Sequence, residues 1–267
     1  MNNDLYMKDR YRAPYQYLIN ANIVEWDISK ANISILRQYN KISDTEYERL
    51  YNLPKKDRAI TIGCMMRDSS DINTTITNGF VEARRLFFET NHIDPRSVLF
   101  INKDSITLIN VPQQYIQSSF GYINFVMKEI YTSFYNLFNI EFLYKNTSNI
   151  ESYRFKNVDE DKLIAAHSSG MLDMILYIAN QAQLLSQKEM VMIIKNLYIQ
   201  YCSKSLPIRY YREFNNISKY RFKTYGVYTY YSDSYPEDMN IIDISYNAEL
   251  LRFFYKIFVK EYFHKRR

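Results

Sequence analysis

Two apolar, β-forming segments flank a short polar centre between residues 98 and 109. Over this stretch the chain reads Val-Leu-Phe-Ile, then Asn-Lys-Asp-Ser, then Ile-Thr-Leu-Ile. Segments this short do not form stable helices, and their β-branched and aromatic residues favour strands. The pattern therefore predicts a β-hairpin whose tip spans residues 102–105, and it places Asp104 in that tip.

A second aspartate, Asp27, ends another predicted strand. Residues 17–28 are rich in apolar β-formers, and residues 29–39 repeat apolar side chains at helical spacing, with Ile33 and Leu36 facing inward. We expect a strand that ends near Asp27 and leads directly into a helix.

Helical spacing and helix caps predict most of the remaining chain to be helical. Further helices are predicted over residues 44–53, 55–67, 72–91, 163–185, 188–201 and 247–263. Strands are predicted over residues 120–125 and 140–144, and a β-ribbon over the tyrosine-rich residues 210–231. The predicted fold class is α+β: an antiparallel sheet with packed helices, followed by a mainly helical C-terminal half.

Three regions follow from this pattern. We expect an N-terminal arm over residues 1–16, because this segment is charged and aromatic. An α+β domain over residues 17–158 comes next. A helical and tyrosine-rich lobe over residues 159–267 completes the chain, with a soft boundary near Asp159.

Composition bounds the class of protein. Apolar residues make up 47% of the chain and there are only 5 Gly and 6 Pro, which argues against disorder and against a turn-rich all-β fold. Cys64 and Cys202 form no CxxC motif, which favours a reducing compartment over a disulfide framework. The polar first residues and the lack of a long uncharged apolar run predict neither a secretory signal nor a membrane partner. We therefore expect a cytoplasmic protein, in the host cytoplasm if it is viral.

Several common enzyme classes lack support in the sequence. His92, His167 and His264 are too scattered to suggest a metal site, and the chain contains no GxSxG motif. It also contains no Gly-rich phosphate loop. The net charge of +5 permits nucleic-acid binding without requiring it.

The residues around the two aspartates resemble the palm motifs of family B DNA polymerases. Residues 27–36 resemble the first motif, in which a metal-binding Asp ends a strand and a small polar turn leads into an apolar helix. Residues 100–106 are similar to the later hairpin motif, which reads DTDS in that family. Residues 128–131 stand where the family has a Lys/Tyr motif that touches the primer strand. The resemblance covers roughly residues 17–145 and extends to a pattern seen in small bacteriophage proteins.

This resemblance implies a palm-like sheet within residues 17–158 and metal-dependent nucleotidyl transfer on nucleic acid. Asp27 and Asp104 would be the catalytic acids that bind Mg²⁺, since hard cations prefer oxygen ligands on a rigid frame. The nucleic-acid contacts that the resemblance implies are Arg84, Arg85, Lys103, Lys128 and Tyr131.

The sequence departs from the family pattern at the hairpin. Asn102 stands where the family has its first acid, and Lys103 brings a positive charge to the place of a metal. The interval between Asp27 and Asp104 leaves little room for a fingers domain. The commonplace alternatives are that Asp27 caps a helix and that Asp104 is a turn residue.

A second hypothesis is a non-enzymatic phage protein, either a virion or assembly component or an accessory subunit of a larger complex. The incomplete acid set favours it, and so does the tyrosine-rich C-terminal half, because tyrosines suit protein interfaces. In residues 210–231 tyrosines alternate with cations, a pattern that equally suits single-stranded nucleic acid. The abundance of Tyr, Asn, Ile and Lys is also typical of an AT-rich genome.

Overall fold

The structure is a computed structural model that describes residues 4–137, 140–147, 150–156, 169–207, 210, 217–218, 227–228 and 245–264. Its strands are β1 (Arg10–Arg12), β2 (Tyr17–Ile28), β3 (Val98–Asn102), β4 (Ser105–Ile109), β5 (Ser119–Phe120), β6 (Ile123–Leu137), β7 (Ile140–Thr147), β8 (Ile150–Lys156), β9 (Ile217–Ser218) and β10 (Val227–Tyr228). Its helices are α1 (Ala31–Gln38), α2 (Asp44–Asn52), α3 (Lys55–Asp68), α4 (Ser70–Thr90), α5 (Ser169–Leu184), α6 (Gln187–Cys202) and α7 (Ser245–His264). The α+β class, the antiparallel sheet with packed helices and the mainly helical C-terminal part are therefore confirmed.

The chain divides into two compact units. The first consists of Met1–Pro14 and Asn22–Ile130, and the second of Tyr15–Ala21 and Tyr131–Arg267. The division therefore passes through the long strands β2 and β6. The boundary that the sequence predicts near Asp159 lies outside the described residues.

In the first unit the strand order is β1-β3-β4-β2, followed by β6, with β5 paired to β6. Strand β4 is antiparallel to both β2 and β3, which makes β2 and β3 parallel to each other. Helices α1 to α4 connect β2 to β3, so the unit contains a split β-α-β arrangement with β4 inserted in the middle. The predicted hairpin is confirmed as β3 and β4, with its turn at Lys103 and Asp104.

The alternation of strand β2 decides which of its residues enter the core. Val24, Trp26 and Ile28 are buried in one apolar cluster with residues of α1 and α4. Glu25 and Asp27 belong to the opposite face, because successive side chains of a strand point to opposite sides. The helical face of the sheet is thus apolar, and the other face carries the acids.

Helices α1 and α4 pack closely at Gly79. A Cβ atom at this position would lie 2.2 Å from Cγ2 of Ile35, nearer than two carbon atoms can approach. The absence of a side chain at residue 79 is therefore what allows α4 to lie against α1.

The N-terminal segment, which the sequence predicts to be an arm, contributes strand β1 to the first unit. Strand β1 pairs with β3, so Arg10 stands opposite Asn102. The Lys103 N–H also donates to the Asp9 carbonyl at 2.7 Å. Strand β1 was not predicted, because a strand of three residues shows no periodicity.

Two further elements differ from the sequence predictions. Residues 120–125 form the two-stranded β5–β6 turn in place of one strand, because Gly121 adopts a positive φ of 66° and reverses the chain. Strand β8 was not predicted. Of the proposed ribbon over residues 210–231, the pair β9–β10 is present. Its remaining residues apart from residue 210, and residues 163–168 of the predicted helix, lie outside the described residues.

The second unit packs its helices on the strands β6, β7 and β8. Tyr135, Phe142 and Tyr144 from the strands share one buried cluster with residues of α5, α6 and α7, such as Ile178 and Phe254. Helix α6 begins with a capping box, in which the Ser186 hydroxyl and the Glu189 carboxylate each bind the other's backbone N–H. Among the described helices, none combines the length and apolar character needed to cross a bilayer.

Candidate functional site

The two aspartates singled out in the sequence lie beside each other in the first unit. Strand β2 pairs with β4 so that Asp27 stands opposite Ser105, directly after the hairpin turn. The turn is attached to β2, because the Ile28 N–H donates to the Asp104 carbonyl at 2.9 Å. Both aspartates are partly buried. Backbone pairing therefore holds an acid at a strand end next to an acid at a hairpin tip.

The surroundings of Asp27 disfavour its charged form. Burial is the largest influence and raises the pKa of Asp27 above its ordinary value, since an anion loses hydration in the interior. A hydrogen bond from Lys128 opposes this rise in pKa, while the nearby charges of Asp104 and Glu25 add to it. The Asp27 carboxylate is therefore harder to ionise than a free aspartate, even with a lysine beside it.

Two lysines neighbour the aspartates, and they differ in placement. The ammonium of Lys128, on β6, forms an ion pair with Oδ2 of Asp27, and the Lys128 side chain is 47% exposed. Lys103, in the hairpin turn with a φ of 48°, is exposed and has its ammonium 5.0 Å from the centre of the Phe80 ring. Lys128 therefore takes the position beside Asp27 that a metal ion would need.

The ligand set for a metal is small. Asn102, where the family resemblance expects an acid, ends β3 and is exposed. Within the described part of the chain, no three His, Cys, Asp or Glu side chains are grouped to hold a metal ion. Asp27 and Asp104 could hold Mg²⁺ with water or substrate oxygens completing its shell, which is how this ion is often bound. Such binding requires Lys128 to leave Asp27.

Arg84, which the resemblance implied as a nucleic-acid contact, lies in the interior. Its side chain is fully buried. It donates to the Tyr6 carbonyl at 2.7 Å, to the Lys103 carbonyl at 2.5 Å and to Asp9 Oδ1 at 2.9 Å. Arg84 therefore joins the N-terminal segment to the hairpin turn, and we leave it out of the proposed nucleic-acid contacts.

Arg85, the next residue, lies on the helix surface. It forms ion pairs with Glu82 and Glu89, one helical turn away in either direction. The two carboxylates offset its charge and reduce its value as a phosphate contact. Tyr131 is buried in the second unit, so we leave it out of the contacts as well.

Two residues of this region were not singled out in the sequence. Glu25 is buried on β2 and stands opposite Thr107. The alternation of the strand could have found it, since it lies two residues before Asp27. Lys30 has a left-handed φ of 47° before α1, and its ammonium donates to the Tyr51 carbonyl at 2.7 Å. This contact between distant residues leaves no local signal in the sequence.

These features define a class: an α+β protein that carries a pair of carboxylates on an antiparallel sheet. The family model for Bacteriophage PBS1 gene 130 protein matches residues 1–260, and the chain belongs to that family. This family membership confirms the prediction of a phage protein. No curated protein sequence matches the chain.

Proposed function

We propose that this phage protein handles nucleic acid through a palm-like first unit with a reduced set of acids. The observation that carries the proposal is the adjacency of Asp27 and Asp104, one at the end of β2 and one in the tip of the β3–β4 hairpin. A polymerase palm needs two acids in this arrangement. The split β-α-β order, in which the hairpin strand β4 lies next to β2, supplies it.

The charges around Asp27 support a cation-binding role. A partly buried carboxylate with a raised pKa gains from any cation that approaches it. Lys128 is the cation present, and its half-exposed side chain can move away without crossing the core. Asp27 and Asp104 would then hold Mg²⁺, and Lys128 would turn to a backbone phosphate.

When bound, Mg²⁺ would activate the attacking hydroxyl and neutralise charge on a triphosphate. The residues of this chain contribute the position of that ion. Lys103, exposed at the hairpin turn, contributes a further positive charge for phosphate. The neutral Asn102 leaves the set one acid short of the family pattern. Nucleotidyl transfer would therefore depend on Asp27 and Asp104 alone to hold the ion.

Primer extension with Mg²⁺ or Mn²⁺ tests the proposal. Asp104→Asn removes one acid, and Asp68→Asn is the matched control because Asp68 is an exposed aspartate outside the site. Template-dependent extension that is lost in Asp104→Asn and retained in Asp68→Asn would support a working palm. DNA binding without extension would refute nucleotidyl transfer and support a palm-like binding platform. A wild-type protein that neither binds DNA nor extends a primer would refute the proposal.

The ion pair between Lys128 and Asp27 also favours a second candidate, a non-enzymatic virion or assembly component or an accessory subunit. A lysine that permanently neutralises Asp27 leaves no metal site. Helices of the second unit expose large apolar side chains of the kind found at protein interfaces. These are Tyr177, Leu184, Met192 and Ile199. Mass spectrometry of purified phage particles would detect a virion component, whereas presence in infected cells alone would argue against that form.

A further inference from the structure

A groove between helices α6 and α7 lies within the second unit. Its lining residues are Lys195 and Tyr198 from α6, and Arg252 and Tyr255 from α7. The cavity volume is about 320 Å³. Each helix contributes one cation and, one turn later, one tyrosine, because residues three apart lie on the same helical face.

The two helices are joined across this groove. The guanidinium of Arg252 donates from Nε to the Tyr198 hydroxyl at 3.1 Å and from Nη2 at 2.7 Å. Its centre lies 5.5 Å from the Tyr198 ring. These contacts fix one cation and one ring in place, whereas Lys195 is exposed and Tyr255 is 38% exposed.

The groove includes cations that suit an anionic ligand. Its four lining residues include two cations and no carboxylate. An anion that also presents flat rings would use the tyrosines as well as the cations.

We propose that this groove binds single-stranded nucleic acid, with a phosphate at Lys195 and Arg252 and a base against Tyr255. Stacking of unpaired bases on aromatic rings, combined with backbone contacts to cations, is the general way in which single strands are held. An acidic peptide would satisfy the cations but leave Tyr255 without a role. The inference rests on the proposed function in its class of ligand, but it uses residues of the second unit alone.

Fluorescence anisotropy with a labelled oligothymidylate of about 16 nucleotides tests the groove. Tyr255→Ala should weaken binding roughly tenfold through the loss of one stacked base. Lys195→Ala should reduce the slope of log K against log salt by about 0.7, the value for one phosphate contact on a single strand. The matched controls are Tyr177→Ala and Lys188→Ala, which change an exposed tyrosine and lysine outside the groove.

Groove variants that bind like the two controls would overturn the proposal. A loss of duplex affinity in Tyr255→Ala as large as its loss of single-strand affinity would also overturn it, because paired bases cannot stack on Tyr255. Displacement of the oligonucleotide by polyglutamate at equal charge concentration would assign the groove to an acidic protein instead. Circular dichroism of each variant verifies that it is folded.

The same variants separate this inference from the palm. If Asp104→Asn binds the oligonucleotide normally while Tyr255→Ala does not, the groove stands whatever primer extension shows. If the wild type extends primers and the groove variants bind normally, only the groove is refuted.

Discussion

Replacing Arg84 by methionine tests whether this arginine holds the hairpin turn in place. Methionine keeps a long apolar stem but removes every donor, which leaves the carbonyls of Tyr6 and Lys103 without their charged partner. Each hydrogen bond from a charged donor is worth about 1.5–3 kcal/mol. Relief of the buried charge offsets part of this loss. We therefore expect the free energy of unfolding of the first unit to fall by about 2–4 kcal/mol.

Urea denaturation followed by tryptophan fluorescence measures this change. Trp26 is the single tryptophan of the chain and is buried in the core of the first unit. Its emission therefore reports the unfolding of that unit. For a urea dependence of about 2 kcal/mol per molar, the expected loss lowers the midpoint by about 1–2 M.

Arg85→Met is the matched control because it changes the neighbouring arginine on the same helix. Arg85 forms ion pairs with the surface carboxylates of Glu82 and Glu89, and such pairs stabilise proteins little. Its midpoint should stay close to that of the wild type. An unchanged midpoint for Arg84→Met, or equal losses for both variants, would refute the structural role assigned to Arg84.

Three further predictions use the fluorescence of Trp26. Asp27→Asn should raise the urea midpoint at pH 7. Burial raises the pKa of Asp27, so the wild type loses stability as the pH rises from 3.8, the ordinary pKa, through the raised pKa. The gain from the substitution should therefore vanish below pH 3.8, and a gain that is independent of pH would contradict this reasoning. Lys128→Met removes the hydrogen bond that lowers the pKa of Asp27, so the midpoint should fall more steeply with rising pH than in the wild type. Gly79→Ala should lower the free energy of unfolding by about 1–3 kcal/mol through a steric clash with Ile35. Gly63→Ala, in a helix with open space around it, should raise the free energy of unfolding by about 0.5–1 kcal/mol. Equal effects of the two substitutions would refute the packing argument.

Local patterns were enough to predict most elements of the first unit. The apolar runs around residues 98–109 identified the hairpin, and helical spacing identified α4 to within two residues at each end. These features depend on side chains close together in the sequence, so periodicity and caps report them directly. The same reasoning missed β1 and β8, whose existence depends on the strands beside them.

The candidate site was predicted in its acids and missed in its surroundings. Both aspartates could be found because each ends a local pattern. Their adjacency depends on the pairing of β2 with β4, and the ion pair of Asp27 depends on a lysine about a hundred residues away along the chain. No window of sequence contains both partners of such a contact.

The sequence by itself determined the fold class and the hairpin, because short-range spacing encodes which residues face a core. The tertiary structure alone decided the roles of Arg84 and Arg85. They are adjacent in the sequence and identical in chemistry, yet a helix turns by roughly 100° per residue. That rotation puts one guanidinium among buried carbonyls and the other among surface carboxylates. Which side of α4 faces the hairpin turn depends on how the whole unit packs. That packing cannot be predicted from two neighbouring residues.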